Sequence, residues 1–195
     1  MSKLYFTYSA MNAGKSAILL QAAHNYGERG MEVMLWTSAH HADTPNASMG
    51  AIESRIGLHA PAHIFGEETD LFTAIATRQG EGPLGAIFFD EAQFLTADQV
   101  RALARVVDQL GLPVLCYGLR TDFRGALFPG SAELLALADH LREVRTICHC
   151  GRKATMNLRR QADGSAIAEG EQVAVEKSDY VSLCRKHFFE ALAGG

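Results

Sequence analysis

The residues best suited to chemistry in this chain form a small-residue loop near its start. Ser9-Ala10-Met11-Asn12-Ala13-Gly14-Lys15-Ser16 follows a short β-prone run and precedes a helical pattern. In that setting, successive backbone N–H groups and a helix N-terminus attract phosphates, and small residues let the backbone come close. Lys15 would reach the β- and γ-phosphates of a nucleotide, and the Ser16 hydroxyl would bind Mg²⁺. The pattern therefore predicts a phosphate-binding loop.

This loop departs from the usual motif at its first position, where Ser9 replaces glycine. Serine is small, but it adopts positive φ less freely than glycine. The alternative interpretation is an ordinary strand–turn–helix that contains Gly-Lys-Ser by chance. The strand before the loop and an acid-ended strand further along the chain favour phosphate binding.

A second set of reactive side chains follows the apolar run 86–89. Asp90 ends that run, and Glu91-Ala92-Gln93-Phe94 comes next. An acid at the carboxyl end of a buried parallel strand lies where ligands bind in such sheets. Asp90 would hold Mg²⁺, usually through water, and Glu91 would act on a nucleophile. The alternative is an ordinary strand end with a solvated Asp-Glu pair, and the phosphate loop in the same chain makes it the weaker interpretation.

Two tight pairs of metal-binding side chains lie near the C-terminus, in Cys148-His149-Cys150 and in Cys184-Arg185-Lys186-His187. Thiolate and imidazole suit tetrahedral Zn²⁺, and two close pairs joined by a loop are typical of a closed structural site. We predict the ligands Cys148, Cys150, Cys184 and His187, with His149 as a competitor for Cys148. The fourth cysteine, Cys116, lies in an apolar run and is predicted to be a buried thiol.

Composition limits the function classes. The chain has 195 residues, 48% of them hydrophobic and 21% charged, with a net charge of −4. An acidic balance argues against a duplex-binding surface, which needs many phosphate-neutralising cations. The sequence has neither an apolar run long enough to span a bilayer nor a secretory signal, which predicts a protein that stays in the cytoplasm.

Strand and helix patterns alternate along most of the chain, which predicts an α/β fold with a parallel sheet covered by helices on both faces. Between residues 38 and 50 we expect a mobile loop. We expect two units, an α/β nucleotide-binding domain at 1–145 and a metal-held module at 146–195. The predicted strands are 3–8, 32–37, 62–65, 84–90 and 113–118, and the predicted helices are 14–27, 69–78, one that begins at Thr96, and 131–140.

Four stretches of the chain together resemble the type II (cellular-type) thymidine kinase family, and specifically its bacterial members. The resemblance extends over essentially the whole chain. The stretches are Tyr8 to Ser16, Asp90-Glu91-Ala92-Gln93-Phe94, Cys116-Tyr117-Gly118-Leu119-Arg120-Thr121-Asp122-Phe123-Arg124-Gly125, and Tyr180-Val181-Ser182-Leu183-Cys184-Arg185-Lys186-His187.

The resemblance implies a P-loop NTPase-like fold and transfer of the ATP γ-phosphoryl group to the 5′-hydroxyl of thymidine, and of deoxyuridine. It implies Glu91 as general base, Mg²⁺ as activating ion, structural zinc, a homotetramer and no nucleic-acid or membrane partner. The stretch between the zinc pairs would be a lasso that closes over the nucleoside. The implied phosphate-binding residues are Ser9, Ala10, Met11, Asn12, Ala13, Gly14, Lys15, Ser16, Asp90, Glu91, Ala92 and Gln93, and the implied nucleoside-binding residues are Met11, Phe94, Leu119, Phe123, Phe128 and Tyr180. For each of the latter, and above all for Phe128, core packing is the alternative.

Two departures from the family pattern concern loops. Asp43-Thr44-Pro45 places proline where the family usually has an arginine, so Arg55 or Arg120 is a candidate for the missing charge. In the lasso, Val175-Glu176-Lys177-Ser178 stands where a Gly-Gly pair is common.

Two rival functions remain open at this point. A nucleic-acid-dependent ATPase fits the zinc ligands, but it conflicts with the acidic balance and the short chain. A non-catalytic nucleotide switch is the other rival, and a guanine-specific one would be expected to carry an Asn-Lys-x-Asp motif, which is absent from the sequence.

Overall fold

A computed structural model describes residues 1–41, 48–172 and 179–194. Its centre is a seven-stranded sheet with the order β3-β4-β2-β5-β6-β1-β7. Every neighbouring pair in it is parallel except β3 and β4. The strands are β1 Leu4–Ser9, β2 Glu32–Ser38, β3 Met49–Glu53, β4 His59–Phe65, β5 Leu84–Phe89, β6 Val114–Leu119 and β7 His140–Glu143.

Helices cover both faces of this sheet. One face packs on α1 through the cluster that includes Leu19 and Phe88, and the other packs on α2, α3 and α4. On β5, the side chains of Ile87, Phe88 and Phe89 are all fully buried, as expected for a central parallel strand. The helices are α1 Lys15–Gly27, α2 Leu71–Glu81, α3 Ala97–Arg105 with a π-helical continuation at Val106–Leu110, α4 Pro129–Leu137 and α5 Arg185–Ala193.

The C-terminal segment forms a smaller layer of its own. Two antiparallel pairs build it, β8 (Thr146–Ile147) with β9 (Lys153–Ala154), and β10 (Met156–Arg160) with β11 (Asp179–Leu183). Helix α5 packs on β10 and β11. The apolar cluster beneath is small and contains Cys148, Ala154, Met156, Leu158, Leu183, Cys184 and Phe188. So little apolar burial is typical of modules that need a metal or another crosslink.

The predicted α/β architecture with a mainly parallel, helix-covered sheet is confirmed. A capping box opens α3 at Thr96, where a helix was predicted to begin, since Thr96 Oγ1 accepts the Gln99 N–H at 3.1 Å and Gln99 Oε1 accepts the Thr96 N–H. No helix in the described ranges is long and apolar enough to cross a membrane.

The predicted helix at 131–140 was wrong at its end. Helix α4 stops at Leu137, and His140 begins the edge strand β7. Because β7 reads His-Leu-Arg-Glu and is mostly exposed, it lacks the apolar pattern that identifies a buried strand. Its strand conformation comes from pairing with β1, which the local sequence does not encode.

The region predicted as a loop at 38–50 also contains more structure than expected. Ser38 is the last residue of β2, Ala39–His41 is a 3₁₀ turn, and Met49 begins β3. Strand β3 forms an antiparallel hairpin with β4, so the sheet is not purely parallel. The departure at Asp43 and Pro45 lies outside the described residues, as does the one at 175–178.

Candidate active site

The predicted phosphate loop joins β1 to α1. Ser9 is the last residue of β1, so the position where serine replaces glycine has extended backbone. The sharp turn comes later, where Asn12 has φ of 60° and Gly14 has φ of 83°. Helix α1 then begins at Lys15, which turns its first amides toward the loop. The backbone therefore has the strand–turn–helix form that binds phosphate.

Lys15 is buried beneath this loop, with 8% of its surface exposed. Its Nζ donates to Ser9 Oγ at 3.0 Å and lies 3.5 Å from the carbonyl oxygen of Ala10. Burial lowers the pKa of Lys15, while the carboxylates of Glu91 and Asp90 partly offset that effect. The two neighbouring carboxylates thus favour the charged form of Lys15, whose ammonium group would hydrogen-bond to a polyphosphate bound in the loop.

Asp90 follows β5 directly and is 4% exposed. Its Oδ1 accepts the N–H of Glu91 at 3.0 Å, and the Ser16 side chain hydrogen-bonds to the same carboxyl group. Burial raises the pKa of Asp90 to about 6, and the Glu91 charge adds to the rise, while the hydrogen bonds and Lys15 oppose it. The structure thus brings together the two side chains predicted to hold Mg²⁺.

The raised pKa makes a stability prediction for Asp90→Asn. Because the folded state binds the Asp90 proton more tightly than the unfolded chain does, ionised Asp90 costs stability at neutral pH. We expect the variant to gain up to about 3 kcal/mol over wild type above pH 6, and this gain to vanish as the pH falls toward 4. Urea unfolding without nucleotide or Mg²⁺ measures it, with the exposed Asp108→Asn as control. A stability difference that does not change with pH would contradict the prediction.

Glu91 lies at the start of a short 3₁₀ turn, with φ of 53°. A non-glycine residue with positive φ is strained by about 1–3 kcal/mol, and such strain is concentrated at functional sites. The Glu91 carboxylate accepts the side-chain amide of Gln93 at 2.5 Å. The oxygen of the same amide group, Gln93 Oε1, accepts the Leu119 N–H at 3.0 Å. One glutamine thus connects the acid to strand β6.

Gly118 on β6 makes this arrangement possible. A Cβ atom at position 118 would lie 2.8 Å from Gln93 Oε1 and 2.9 Å from the Gln93 backbone nitrogen. Real Cβ atoms essentially never approach other atoms so closely. Gln93 can therefore pack against β6 only because Gly118 has no side chain.

The loop and Glu91 border one cleft of about 460 Å³. Residues 11–17 and the side chains of Glu91 and Gln93 line it. The six residues expected to hold a nucleoside line the same cleft, namely Met11, Phe94, Leu119, Phe123, Phe128 and Tyr180. Ser9, Ala10, Asp90 and Ala92 do not line it, and all four are buried behind its wall.

Aromatic rings stiffen this wall. The rings of Phe94 and Phe128 meet edge to face at 5.7 Å, and the His40 ring lies 4.5 Å from that of Phe94. Phe123 is 1% exposed, and the guanidinium groups of Arg124 and Arg159 lie over its ring at 5.6 and 5.3 Å. Rings with fixed orientations suit a flat apolar ligand.

The sequence pattern did not single out several residues that line the cleft. Asp122 is 2% exposed and accepts the N–H groups of Arg124 and Ala126, both at 2.9 Å. Asp122 lies within a stretch that carried the family resemblance, so that resemblance could have identified it as a site residue. Asn157 also lines the cleft, and no local motif marked it.

The two arginines considered for the missing loop charge have different surroundings. Arg120 donates to the Thr155 carbonyl at 3.2 Å and thus contacts the C-terminal segment. Arg55 lies in the β3–β4 turn and lines the same cleft as residues 11–17 of the phosphate loop. Of these two arginines, Arg55 is therefore the one that lines the cleft.

The four predicted metal ligands converge in one cluster. The Sγ atoms of Cys148, Cys150 and Cys184 and a ring nitrogen of His187 all lie within 4.8 Å of one another. His187 Nδ1 is 3.4 Å from the sulfurs of both Cys148 and Cys184, and the sulfurs of Cys150 and Cys184 are 3.9 Å apart.

These separations fit a tetrahedral zinc ion. Bonds of about 2.3 Å to sulfur and about 2.1 Å to nitrogen place S and N atoms about 3.6 Å apart and two S atoms about 3.8 Å apart. The ring of His149, the competing ligand, lies tilted against the His187 ring with centroids 4.3 Å apart. Cys116, by contrast, is fully buried in the sheet, and burial raises the pKa of its thiol.

Comparisons with known proteins agree with one another. A family model described as thymidine kinase matches residues 2–188. The chain is 61% identical to a thymidine kinase of Jannaschia sp. (strain CCS1), over 98% of this chain and 97% of that protein. It is 60% identical to one of Ruegeria pomeroyi, with 98% and 96% covered, and 54% identical to one of Vibrio cholerae, with 98% and 99% covered.

Proposed function

The chain belongs to the thymidine kinase family, and on that premise we propose that it transfers the γ-phosphoryl group of ATP to the 5′-hydroxyl of thymidine, giving dTMP. Deoxyuridine is proposed as a second acceptor. The observation that carries this proposal is that a phosphate loop, the acid Glu91 and six apolar or aromatic residues all border one cleft of about 460 Å³. A cleft of that volume is within the range of small-molecule sites.

The phosphate loop would bind the β- and γ-phosphates through its backbone amides and Lys15. Ser16 and Asp90 are hydrogen-bonded to each other and would hold Mg²⁺ between the loop and β5, with Asp90 acting through water. Protonated Asp90 cannot serve in this way, so its pKa of about 6 makes the ion site weaken as the solution becomes acidic. The charge of Mg²⁺ and of Lys15 would stabilise the negative charge on the transferred group.

Glu91 would act as the general base. Its carboxylate removes the proton from the thymidine 5′-hydroxyl, the oxygen forms a bond to the γ-phosphorus, and the bond from that phosphorus to the β-phosphate oxygen breaks to release ADP. Gln93 supports this role because its amide N–H bond holds the carboxylate toward the cleft. Arg55 is our candidate for the additional cation near the phosphates.

The thymine ring would lie among Met11, Phe94, Leu119, Phe123, Phe128 and Tyr180. Their apolar and aromatic surfaces match a flat base with a methyl group. Since Phe123 and Phe128 are almost fully buried, they would mainly shape the wall through their ring edges. The segment between the zinc pairs would close over the nucleoside as a lasso.

Zinc would be held by Cys148, Cys150, Cys184 and His187, in one site per chain. Bound there, it supplies a structural crosslink between the two ends of the C-terminal segment. Four protein ligands leave no open coordination position for catalysis. We propose that this crosslink defines the module at 146–195 as a unit distinct from the domain at 1–145.

A panel of deoxynucleosides incubated with Mg·ATP tests the function. We expect ADP and dTMP to form together with thymidine, weaker turnover with purine deoxynucleosides, and no stimulation by single-stranded DNA. Turnover that depends on DNA and not on thymidine would overturn the proposal in favour of a nucleic-acid-dependent ATPase. ATP binding without any turnover would favour a nucleotide switch.

From the family resemblance we further propose a homotetramer that works in the cytoplasm. Light scattering on the purified protein measures the oligomeric state, for which the expected mass is about four times that of the 195-residue chain.

A further inference from the structure

One residue of the phosphate loop is held on both sides by the C-terminal segment. The Met11 N–H donates to Asn157 Oδ1 at 2.7 Å. The Met11 carbonyl oxygen accepts the Ser182 hydroxyl, also at 2.7 Å. Asn157 and Ser182 are directly opposite each other on β10 and β11, so this one cross-strand pair binds both the N–H and the carbonyl oxygen of Met11.

Asn157 is a fixed anchor. It is 2% exposed, and its Nδ2 donates to the carbonyl oxygen of Thr121, just past β6, at 3.0 Å. That second bond sets the orientation of the amide, so Oδ1 must face Met11. Because the group is buried, losing either bond would leave an unpaired polar atom, which typically costs more than the bond contributes.

The residue held in this way precedes the sharp turn of the phosphate loop. Because its N–H bonds to Asn157, Met11 presents its amide to the hairpin and not to a phosphate. Asn12 follows with φ of 60° and Gly14 with φ of 83°. The orientation of the peptide between Met11 and Asn12 therefore affects where the amides after it point. The Met11 side chain also lines the cleft, so the position of Met11 affects both the phosphate loop and the predicted nucleoside pocket.

The hairpin that holds Met11 leads directly into the metal-ligand cluster, since Cys184 follows the last residue of β11. Ser182 lies two residues before Cys184, and Leu183 between them pairs with Met156, the neighbour of Asn157. Strand β11 therefore joins Ser182 directly to one metal ligand, and α5, which carries His187, packs on both strands of the hairpin.

We infer that Asn157 and Ser182 are positioning residues that couple the zinc-held hairpin to nucleotide binding. Together the two side chains hold the peptide groups on either side of Met11 in the orientation that the phosphate loop requires, so nucleotide affinity depends on the hairpin being ordered. By thermodynamic reciprocity, a bound nucleotide must also tighten zinc binding by the same factor. This inference rests on the proposed nucleotide site.

The test uses the full-length, zinc-loaded protein and the probe Mg·AMPPNP, a non-hydrolysable ATP analogue. We expect Ser182→Ala and Asn157→Ala each to weaken its binding about 10-fold or more, since each leaves a polar group of Met11 unpaired. Ser182→Thr keeps the hydroxyl and should stay within about 3-fold of wild type. The matched control is Thr73→Ala, which removes another hydroxyl bond of 2.7 Å, to Asp70 on the far helix α2.

A second measurement separates positioning from general loss of structure. Zinc affinity is determined in a chelator buffer with and without Mg·AMPPNP. In wild type the nucleotide should tighten zinc binding about 10-fold, and in Ser182→Ala this enhancement should fall toward none, although the variant still binds one zinc.

The outcomes are distinct. If wild type does not bind Mg·AMPPNP, the proposed nucleotide site itself fails. If wild type binds it and Ser182→Ala binds it equally well, the coupling inference is overturned. It is also overturned if zinc affinity responds to nucleotide identically in both proteins. Should Asn157→Ala fail to fold, Ser182→Ala decides the matter, because Ser182 is only partly buried.

Discussion

Replacing Glu91 with glutamine is expected to lower kcat for thymidine phosphorylation by about 10² to 10⁴, the usual contribution of a positioned general base. The substitution keeps the size of the side chain and replaces the carboxylate with a neutral amide, which cannot accept the proton. Gln93, which donates to Glu91 at 2.5 Å, can still hydrogen-bond to the side-chain oxygen of the variant. The loss should therefore appear in kcat, with nucleotide and nucleoside affinities nearly unchanged.

Steady-state kinetics with direct binding measurements for thymidine and Mg·AMPPNP checks this prediction. The matched control is Glu68→Gln, at an exposed glutamate before α2, which should leave kcat at the wild-type value. Unchanged turnover in Glu91→Gln would remove Glu91 from the role of base. Loss of nucleoside binding in step with kcat would instead indicate that Glu91 mainly binds substrate.

Removal of zinc is expected to unfold the C-terminal segment while the main sheet persists. The apolar cluster of this segment is small, and structural zinc sites supply an apparent free energy of about 10–16 kcal/mol at neutral pH. In Cys184→Ser, or after treatment with a strong chelator, we expect the backbone amides of β10 and β11 to exchange rapidly with solvent. Amides in β5 and β6, buried within the sheet, should stay protected.

Hydrogen exchange and elemental analysis together measure this result. Wild type should contain about one zinc per chain and the Cys184→Ser variant close to none. The control is Cys116→Ala, since Cys116 lies in the buried part of β6 outside the ligand cluster and the variant should retain one zinc. Protein that contains no zinc yet protects β10 and β11 would contradict a structural role for the metal.

The parts of the site that could be predicted from sequence are those encoded by neighbouring residues. The phosphate loop is one continuous turn between a strand and a helix, and Asp90 and Glu91 directly follow the most apolar strand. The metal ligands occur as two close pairs, so their residue types and spacing identified all four members of the cluster.

What could not be predicted depends on pairing between distant segments. The bond between Met11 and Asn157 joins residues 146 positions apart, and neither residue type signals it. Strand β7 has an exposed, polar sequence and becomes a strand through β1. The end of β4 was predicted at 62–65, but β3 and its pairing with β4 were missed for a similar reason, since small residues such as Gly50, Ala51, Ala60 and Ala62 give a weak apolar pattern.

Gly118 has a consequence for any attempt to redesign this enzyme. The position of the Glu91 carboxylate depends on the absence of a Cβ atom at position 118. A methyl group there would overlap Gln93, which hydrogen-bonds to that carboxylate. Even an alanine introduced there, on the next strand along the chain and without any reactive group, would displace the acid from its target. Engineers who wish to broaden the range of accepted nucleosides should therefore keep this site invariant in their libraries, although its side chain is only a hydrogen atom.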